Sequence, residues 1–329
     1  MFAEAIASLL QDRCTPQAVR AIEQGGSPAA LSAALEESGF HELLAPEDAG
    51  GGGASWPDFH RVIELCGAHA LPLPLAQTMA ARAVVRAQPL PNGWITFAPW
   101  LVREADGSLR AGQVPFGRTA SHVVGMAGDV ALLLPVADAR MEANGVYGSL
   151  AASLRWEPDA GTALDVTLPA ARLQGLAAAI HASLLSGAMK KVFDLAMGYA
   201  NERAQFGKPI GKFQAIQHQL SVMAEHVAAA AIAAEAAYHT EDQGLPAYAA
   251  CAVAKARTSE AAQLVASTAH AVHGAIGVTE EYDLQLYTRR LHEWRMADGS
   301  ETYWHRALGA LCVQRSDALF VDLAREVFA

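Results

Sequence analysis

Cysteine is scarce in this chain of 329 residues, with four in all, at Cys14, Cys66, Cys251 and Cys312. They stand far apart and form no Cys-x-x-Cys pair, so neither a disulfide framework nor a thiolate zinc site is suggested, and a reducing, cytoplasmic setting fits. Charge is sparse too: 18% of residues are charged, against about 25% in an average globular chain. The balance is acidic, with 24 Lys and Arg against 34 Asp and Glu and a formal net charge of −10. That argues against nucleic-acid binding, which draws its affinity largely from Lys and Arg. Aromatic residues make up only 7%, which disfavours a β-sandwich. The most apolar stretch, Leu176 to Met189, is interrupted by His181, Ser183 and Ser186. It falls short of the roughly 20 residues that span a bilayer and predicts a buried helix. The opening MFAEAIASLLQDR lacks the basic and apolar regions of a signal peptide. No His-Glu-x-x-His phrase marks a metal site, and no elbow or triad phrase marks a Ser or Cys nucleophile. The run Gly50 to Gly53 lacks the Gly-Lys-Ser/Thr ending of a phosphate loop and predicts a connector.

What is abundant is apolar: 52% of residues are hydrophobic, and alanine dominates the C-terminal half. A chain of this length divides into two or three units. Up to residue 87 the periodicity is helical, with Leu31 and Leu35 before a turn at Gly39 and Phe40, Leu43 and Leu44 after it. Ser55 or Asp58 is placed to cap a helix carrying Phe59, Val62, Ile63 and Leu65. From 88 to 169, short β-like runs alternate with Gly, Pro, Asn and Asp: Trp94 to Phe97, Ser121 to Val124, Val130 to Val136 and Ala163 to Leu168. From 170 to 329 long helical patterns return. Phe213, Ile216, Leu220, Met223 and Val227 form one stripe, a second helix runs from Tyr248 to His273, and a third covers Leu284 to Trp294. Asp298-Gly299-Ser300 predicts a turn before a last helix. The expected fold is mainly α: an N-terminal helical domain, a small barrel-like β domain, and a C-terminal four-helix bundle.

Three phrases carry a resemblance. The first is Glu202-Arg203-Ala204-Gln205-Phe206-Gly207-Lys208-Pro209-Ile210, continuing to Phe213-Gln214-Ala215-Ile216. The second is His273-Gly274-Ala275-Ile276-Gly277-Val278, followed by Arg289-Arg290. The third is Glu37-Ser38-Gly39-Phe40 through Pro46-Glu47-Asp48-Ala49-Gly50-Gly51. In this order they resemble the flavin-dependent acyl-CoA dehydrogenases, over roughly three-quarters of the chain. The resemblance implies FAD as cofactor, contacted at Arg203, Gln205, Phe206, Gln214, His273, Gly274 and Ser300. By the same resemblance Arg203, Gln205 and Phe206 reach the FAD of a neighbouring subunit. A guanidinium suits a pyrophosphate and a phenyl ring suits a flat apolar wall. Taken without the motif, Arg203 better suits a helix C-terminus paired with an acid.

In the family a carboxylate removes the α-proton of the thioester and the β-hydride goes to the flavin. Burial of that carboxylate raises its pKa toward the working range. Matched without a gap from Arg203, the usual Glu falls on Asp298, with Glu301 the nearby fallback. Asp is one methylene shorter than Glu, about 1.5 Å, yet the nitroalkane oxidase branch of the superfamily uses Asp. A second family location for the base falls on Leu176-Ala177-Ala178-Ala179, which holds no carboxylate. Ala271 and Ala275 replace a Gln and a Gly of the family's flavin-contacting phrase. The expected function is α,β-dehydrogenation of an acyl-CoA, with electrons passing to an electron-transfer flavoprotein. The alternatives are a non-catalytic subunit completing the FAD site of a longer, family-related partner, which short members resemble, and a nitroalkane oxidase-like activity. Either way a homo- or hetero-oligomer is implied.

Overall fold

The computed structural model describes residues 2–85, 88–166, 168–239, 241–242, 244–315 and 319–328. Helices lie at both ends of the chain, with strands between them. The helices α1 (Phe2–Arg13), α2 (Pro16–Glu23), α3 (Ala29–Glu37), α4 (Trp56–Ala68) and α5 (Leu75–Val84) come first. Thr15 starts α2 by accepting from the Ala18 amide at 3.3 Å, with Pro16 at the first helical position. Ser55 and Asp58 start α4 together. The Ser55 hydroxyl accepts from the Asp58 amide at 3.3 Å and the Asp58 carboxylate accepts from the Ser55 amide at 3.4 Å, the reciprocal pattern of a capping box, and the hydroxyl also donates to that carboxylate at 2.7 Å. The glycine run before it is a close-packed connector: a Cβ on Gly51 would sit 2.2 Å from the Ala45 carbonyl oxygen.

The middle of the chain makes two four-stranded sheets. One runs in the order β1 (Ile95–Ala98), β4 (His122–Ala127), β5 (Val130–Pro135) and β8 (Thr162–Ala163), with β1 parallel to β4. The other runs β2 (Val102–Arg103), β3 (Leu109–Val114), β7 (Ala152–Trp156) and β6 (Arg140–Ala143), antiparallel throughout. Val123 and Leu134 of the first sheet share one core with Leu109, Leu154 and Trp156 of the second. Three of the four expected β runs coincide with β1, β4 and β5. The fourth shrinks to Thr162–Ala163, and Thr167 lies outside the described residues, as do Arg86 and Ala87 beside the expected first boundary. The strands β2 and β6 are exposed at every position, and β3 and β7 carry exposed Arg and Gln, so none of the four shows the apolar run that marks β1, β4 and β5.

The C-terminal part comprises α6 (Ala170–Glu202), the small hairpin β9 (Ala204–Gln205) and β10 (Lys208–Pro209), α7 (Gln214–Ala236), a second small hairpin of β11 (Glu241–Asp242) and β12 (Leu245–Pro246), and then α8 (Tyr248–His273), α9 (Leu284–Met296), α10 (Glu301–Gln314) and α11 (Phe320–Phe328). The helix α8 is the centre of this bundle, packed on α7, α9 and α10. Its buried Ala250, Ala252, Ala254, Ala261, Ala262 and Ala266 let the neighbouring helices come close. The last helix expected after Ser300 is α10, and a further short helix, α11, follows it within the region expected to be helical.

The chain forms two compact units. One holds residues 1–59 and 71–180, the other 60–70 and 181–329. The first contains the N-terminal helices and both four-stranded sheets. Within it, Thr78 on α5 accepts from the Ile95 amide at 2.9 Å and donates to the Pro74 carbonyl at 2.8 Å, tying α5 to β1. Within the second unit, the 60–70 segment of α4 crosses α6 with no side chains between them. A Cβ on Gly187 would lie 1.8 Å from the Glu64 carbonyl oxygen, and one on Gly67 2.1 Å from that of Leu184. Beside this crossing, His60 Nδ1 is 2.9 Å from the Ser183 hydroxyl, and Glu64 bonds Ser186 and Lys190 at 2.7 Å each.

Candidate active site

The turn joining α9 to α10 carries three of the candidate residues. Asp298 and Gly299 both adopt positive φ, 54° and 107°. Asp is one of the few side chains that tolerate this region. At 299 only glycine fits: a Cβ would meet Tyr303 Cδ1 at 2.7 Å and Trp304 Nε1 at 2.8 Å. The Trp304 indole N–H donates to the Asp298 carbonyl at 3.1 Å. From α8, Lys255 Nζ donates to the carbonyls of Arg295 at 2.8 Å and Gly299 at 3.0 Å and to the Ser259 hydroxyl at 2.8 Å. Lys255 is fully buried. Burial pushes its ammonium down to about 7, against the pull of Asp298 and Glu301 and with some help from Arg295.

The Asp298 carboxylate itself turns toward α6. Its Oδ2 lies 2.8 Å from His181 Nδ1, and both side chains are buried, at 6% and 2% exposure. An ionised carboxylate only accepts, so the imidazole is the donor at Nδ1. Glu301 is differently engaged. Arg295 grips both of its oxygens, with Nε to Oε2 at 3.0 Å and a shorter contact from Nη2. Burial raises the Glu301 carboxyl, but the Arg295 hydrogen bonds and charge outweigh it and hold the group below its ordinary range. Ser300 is the N-cap residue of α10 without a side-chain cap bond. Around His181, every residue of α6 from 173 to 189 is buried.

The second group lies at the far end of α6. Arg203, Gln205 and Phe206 stand on or beside the β9–β10 hairpin, all exposed, and Phe206 is 91% exposed at φ 52°. Phe206 meets Phe213 edge-on at 6.2 Å, and Lys208 Nζ sits 4.4 Å above the Phe213 ring. Among the described residues the Arg203 guanidinium makes no ion pair, so it is not tied to an acid at the helix end. Gln214, also exposed, is the first residue of α7.

His273 and Gly274 end α8. The His273 ring is buried, stacked on Tyr199 at 4.5 Å and bonded through Nδ1 to the Ala269 carbonyl at 2.7 Å. Burial lowers its pKa, against backbone hydrogen bonds to Ala269 and Leu195. It thus packs inside the bundle beside the last turns of α6, while Gly274 is exposed. From His181 to the end of α6 at Glu202 the helix rises about 30 Å. The candidates therefore fall at two places along α6, with Asp298, Ser300 and Glu301 beside its middle and the hairpin, His273 and Gly274 at its C-terminal end.

Two contributors escaped the sequence reading. His181 was visible only as a polar interruption in an apolar run. Lys255 was visible only as a lone cation in the alanine-rich phrase Cys251-Ala252-Val253-Ala254-Lys255-Ala256. Among the described residues no group of three His, Cys, Asp or Glu side chains is placed to hold a metal ion, and no helix is long and apolar enough to cross a membrane.

Comparison with known proteins gives a consistent family. The family description "Acyl-CoA dehydrogenase, N-terminal domain" matches residues 1–89, and "Acyl-CoA dehydrogenase, C-terminal domain" matches 172–310. The chain is 31% identical to acyl-CoA dehydrogenase IpdE2 of Mycolicibacterium smegmatis, over 88% of this chain and 90% of that one. It is 32% identical to acyl-CoA dehydrogenase FadE34 of Mycobacterium tuberculosis, over 92% of this chain but 45% of that longer protein. Among solved structures, the Tcur3481-Tcur3483 steroid ACAD G363A variant superposes with a TM-score of 0.83 at 23% identity, covering 96% of this chain and 98% of that one. A chain of the ChsE4-ChsE5 complex from Mycobacterium tuberculosis gives 0.81 at 20% identity, covering 94% and 95%.

Proposed function

The chain belongs to the acyl-CoA dehydrogenase family, and from that premise we propose that it is a subunit of an FAD-dependent enzyme introducing an α,β double bond into an acyl-CoA thioester. The observation that carries this reading is the separation of the two candidate groups by about 30 Å along α6. A hairpin so far from Asp298 serves a different catalytic centre from the one Asp298 serves. An exposed arginine without an ion pair and a phenyl ring 91% exposed suit the flavin site of an adjoining subunit. Arg203 would hold the pyrophosphate, and Gln205 and Phe206 would close over it. When bound, FAD supplies the acceptor for the β-hydride.

The remaining work falls to this chain's own residues. Asp298 takes the α-proton. Its burial keeps water from the carboxylate, and the turn that carries it is bonded on both sides by Lys255. Glu301 is held by Arg295 and is the poorer acceptor. Electrons pass on to an electron-transfer flavoprotein. The protein works in a cytoplasmic, reducing setting, with none of its four cysteines in a disulfide. The acyl group is drawn from the fatty or steroid-derived thioesters that the family's relatives suggest.

A second reading is favoured by one observation: α6 is buried at every position from 173 to 189 and the Asp298 carboxylate paired to it is only 6% exposed, which leaves a substrate little access to that carboxylate. In that reading a longer relative supplies the base and substrate pocket, and this chain completes its FAD site. FadE34, about twice as long as the part it shares with this chain, has room for both roles in one polypeptide.

The test is to express the chain alone and with a longer acyl-CoA dehydrogenase from the same genome, then measure bound flavin and acyl-CoA-dependent dye reduction. A flavin-loaded assembly that reduces dye, and loses flavin when Arg203→Ala is introduced, is the expected result. An assembly that holds no flavin in either setting contradicts the proposal. Full turnover by Asp298→Asn in a loaded assembly selects the second reading.

A further inference from the structure

Asp298 is not a solitary carboxylate. It is joined to His181 of α6 at 2.8 Å, and the two side chains are 6% and 2% exposed. Burying a hydrogen-bonded pair of this kind is costly unless the geometry is fixed by surrounding structure. Here it is. Lys255 from α8 holds the carbonyls of Arg295 and Gly299, one on each side of Asp298, and Trp304 from α10 holds the carbonyl of Asp298 itself. Arg295 and Glu301 close the same turn through their side chains. The backbone at Asp298 and Gly299 stays in the left-handed region because these bonds over-determine it. Four helices thus converge on the turn that carries this carboxylate, and one of them, α6, bonds the carboxylate itself.

We propose that the proton-accepting unit of this chain is the His181–Asp298 pair, in which His181 is a positioning residue that fixes the Asp298 carboxylate from the neighbouring helix. The inference rests on the reading of Asp298 as the base. It explains how a side chain one methylene short of Glu, about 1.5 Å, keeps a defined attitude: its reach is set by an imidazole bound to Oδ2. The proton is taken by the Asp298 carboxylate. The α C–H bond breaks and its electron pair closes the Cα–Cβ double bond; the hydride displaced from Cβ would go to the oxidised flavin of the loaded assembly.

The test compares His181→Leu, His181→Asn and Asp298→Asn in the flavin-loaded assembly. An asparagine amide can restore a donor near the position of Nδ1, and leucine cannot. Misplacing a reacting group by about 1 Å costs up to roughly 100-fold in rate. His181→Leu is therefore expected to lower kcat by about 10- to 100-fold with KM within about threefold and flavin retained. His181→Asn is expected to recover most of that kcat. Should the leucine variant not fold, His181→Gln, which misplaces the amide, reads the same split. Wild-type kcat in His181→Leu beside a dead Asp298→Asn overturns this inference and leaves the base in place. Wild-type kcat in Asp298→Asn overturns the base reading and the pair with it.

Discussion

His181 Nδ1 and Asp298 Oδ2 lie 2.8 Å apart, joining the middle of α6 to the turn between α9 and α10 across 117 residues of sequence. Truncating one member of a buried pair leaves the other's polar group without its partner, at a cost of about 1–3 kcal/mol. Asp298→Ala is expected to lower the unfolding free energy by that amount in urea titrations. Glu301→Ala, at a better-solvated pair, is expected to cost less than about 1 kcal/mol. Equal losses in the two variants would contradict the difference in burial described here.

The crossing of α4 and α6 leaves no room for a methyl group at Gly187, where a Cβ would lie 1.8 Å from a backbone oxygen. Alanine ordinarily favours a helix by about 1 kcal/mol over glycine. Here the sign reverses, because the two backbones must move apart. Gly187→Ala is expected to destabilise by about 1–3 kcal/mol, and Gly198→Ala, on the same helix with open space around it, to stabilise slightly. Thermal melts of the two variants check the contrast.

Stability is expected to fall as pH drops below about 6.5. Burial lowers the pKa of His60, His122, His270, His273 and His292 from their ordinary value of 6.5. Between the folded and unfolded values the unfolded chain binds more protons, so stability rises with pH through that window. The contribution of these histidines is complete above about 6.5 and is lost as pH falls toward their folded values. Lys255, pushed down to about 7, acts with the same sign at higher pH. Melting temperatures that climb from pH 5 to pH 7 agree with this, and a flat or falling profile does not.

The hairpin predicts a separation of stability from function. Phe206 is 91% exposed, so Phe206→Ala removes little buried area and should leave the melting temperature of the flavin-free chain within about 1 °C, since surface changes stay within roughly ±0.5 kcal/mol. Flavin retention by the assembly should nevertheless fall several-fold. Lost folding stability with unchanged flavin content would place Phe206 in the core of this chain.

Much of this was legible in the residues. The helix from Tyr248 to His273 was bounded by Gly244-Leu245-Pro246 on one side and Gly274 on the other, and it lies where those residues set it. The Ser55 and Asp58 cap followed from side-chain chemistry at a fixed spacing. The strand Leu109–Val114 was not readable as a strand, because a bulge between Ala111 and Val114, with Gln113 at positive φ, puts two exposed residues in a row and breaks its alternation. The site was half legible. Counting from Arg203 singles out Asp298 as a candidate, but nothing in the order of residues announces that His181 meets its carboxylate or that Lys255 binds the carbonyls of Arg295 and Gly299 around it. Such meetings depend on how three helices pack, and a lone His or Lys in an apolar helix carries no local signal of its partner.

The most direct test of the account is complementation between chains. Arg203→Ala and Asp298→Asn chains, each inactive alone, are co-expressed and the acyl-CoA-dependent turnover of the mixed assembly is measured. If the hairpin of one chain serves the flavin of another, a centre with an intact Asp298 can borrow an intact Arg203 from its neighbour. Turnover then rises clearly above that of either variant alone. Turnover no higher than in the separate variants would contradict the placement of Arg203 and Asp298 in different catalytic centres.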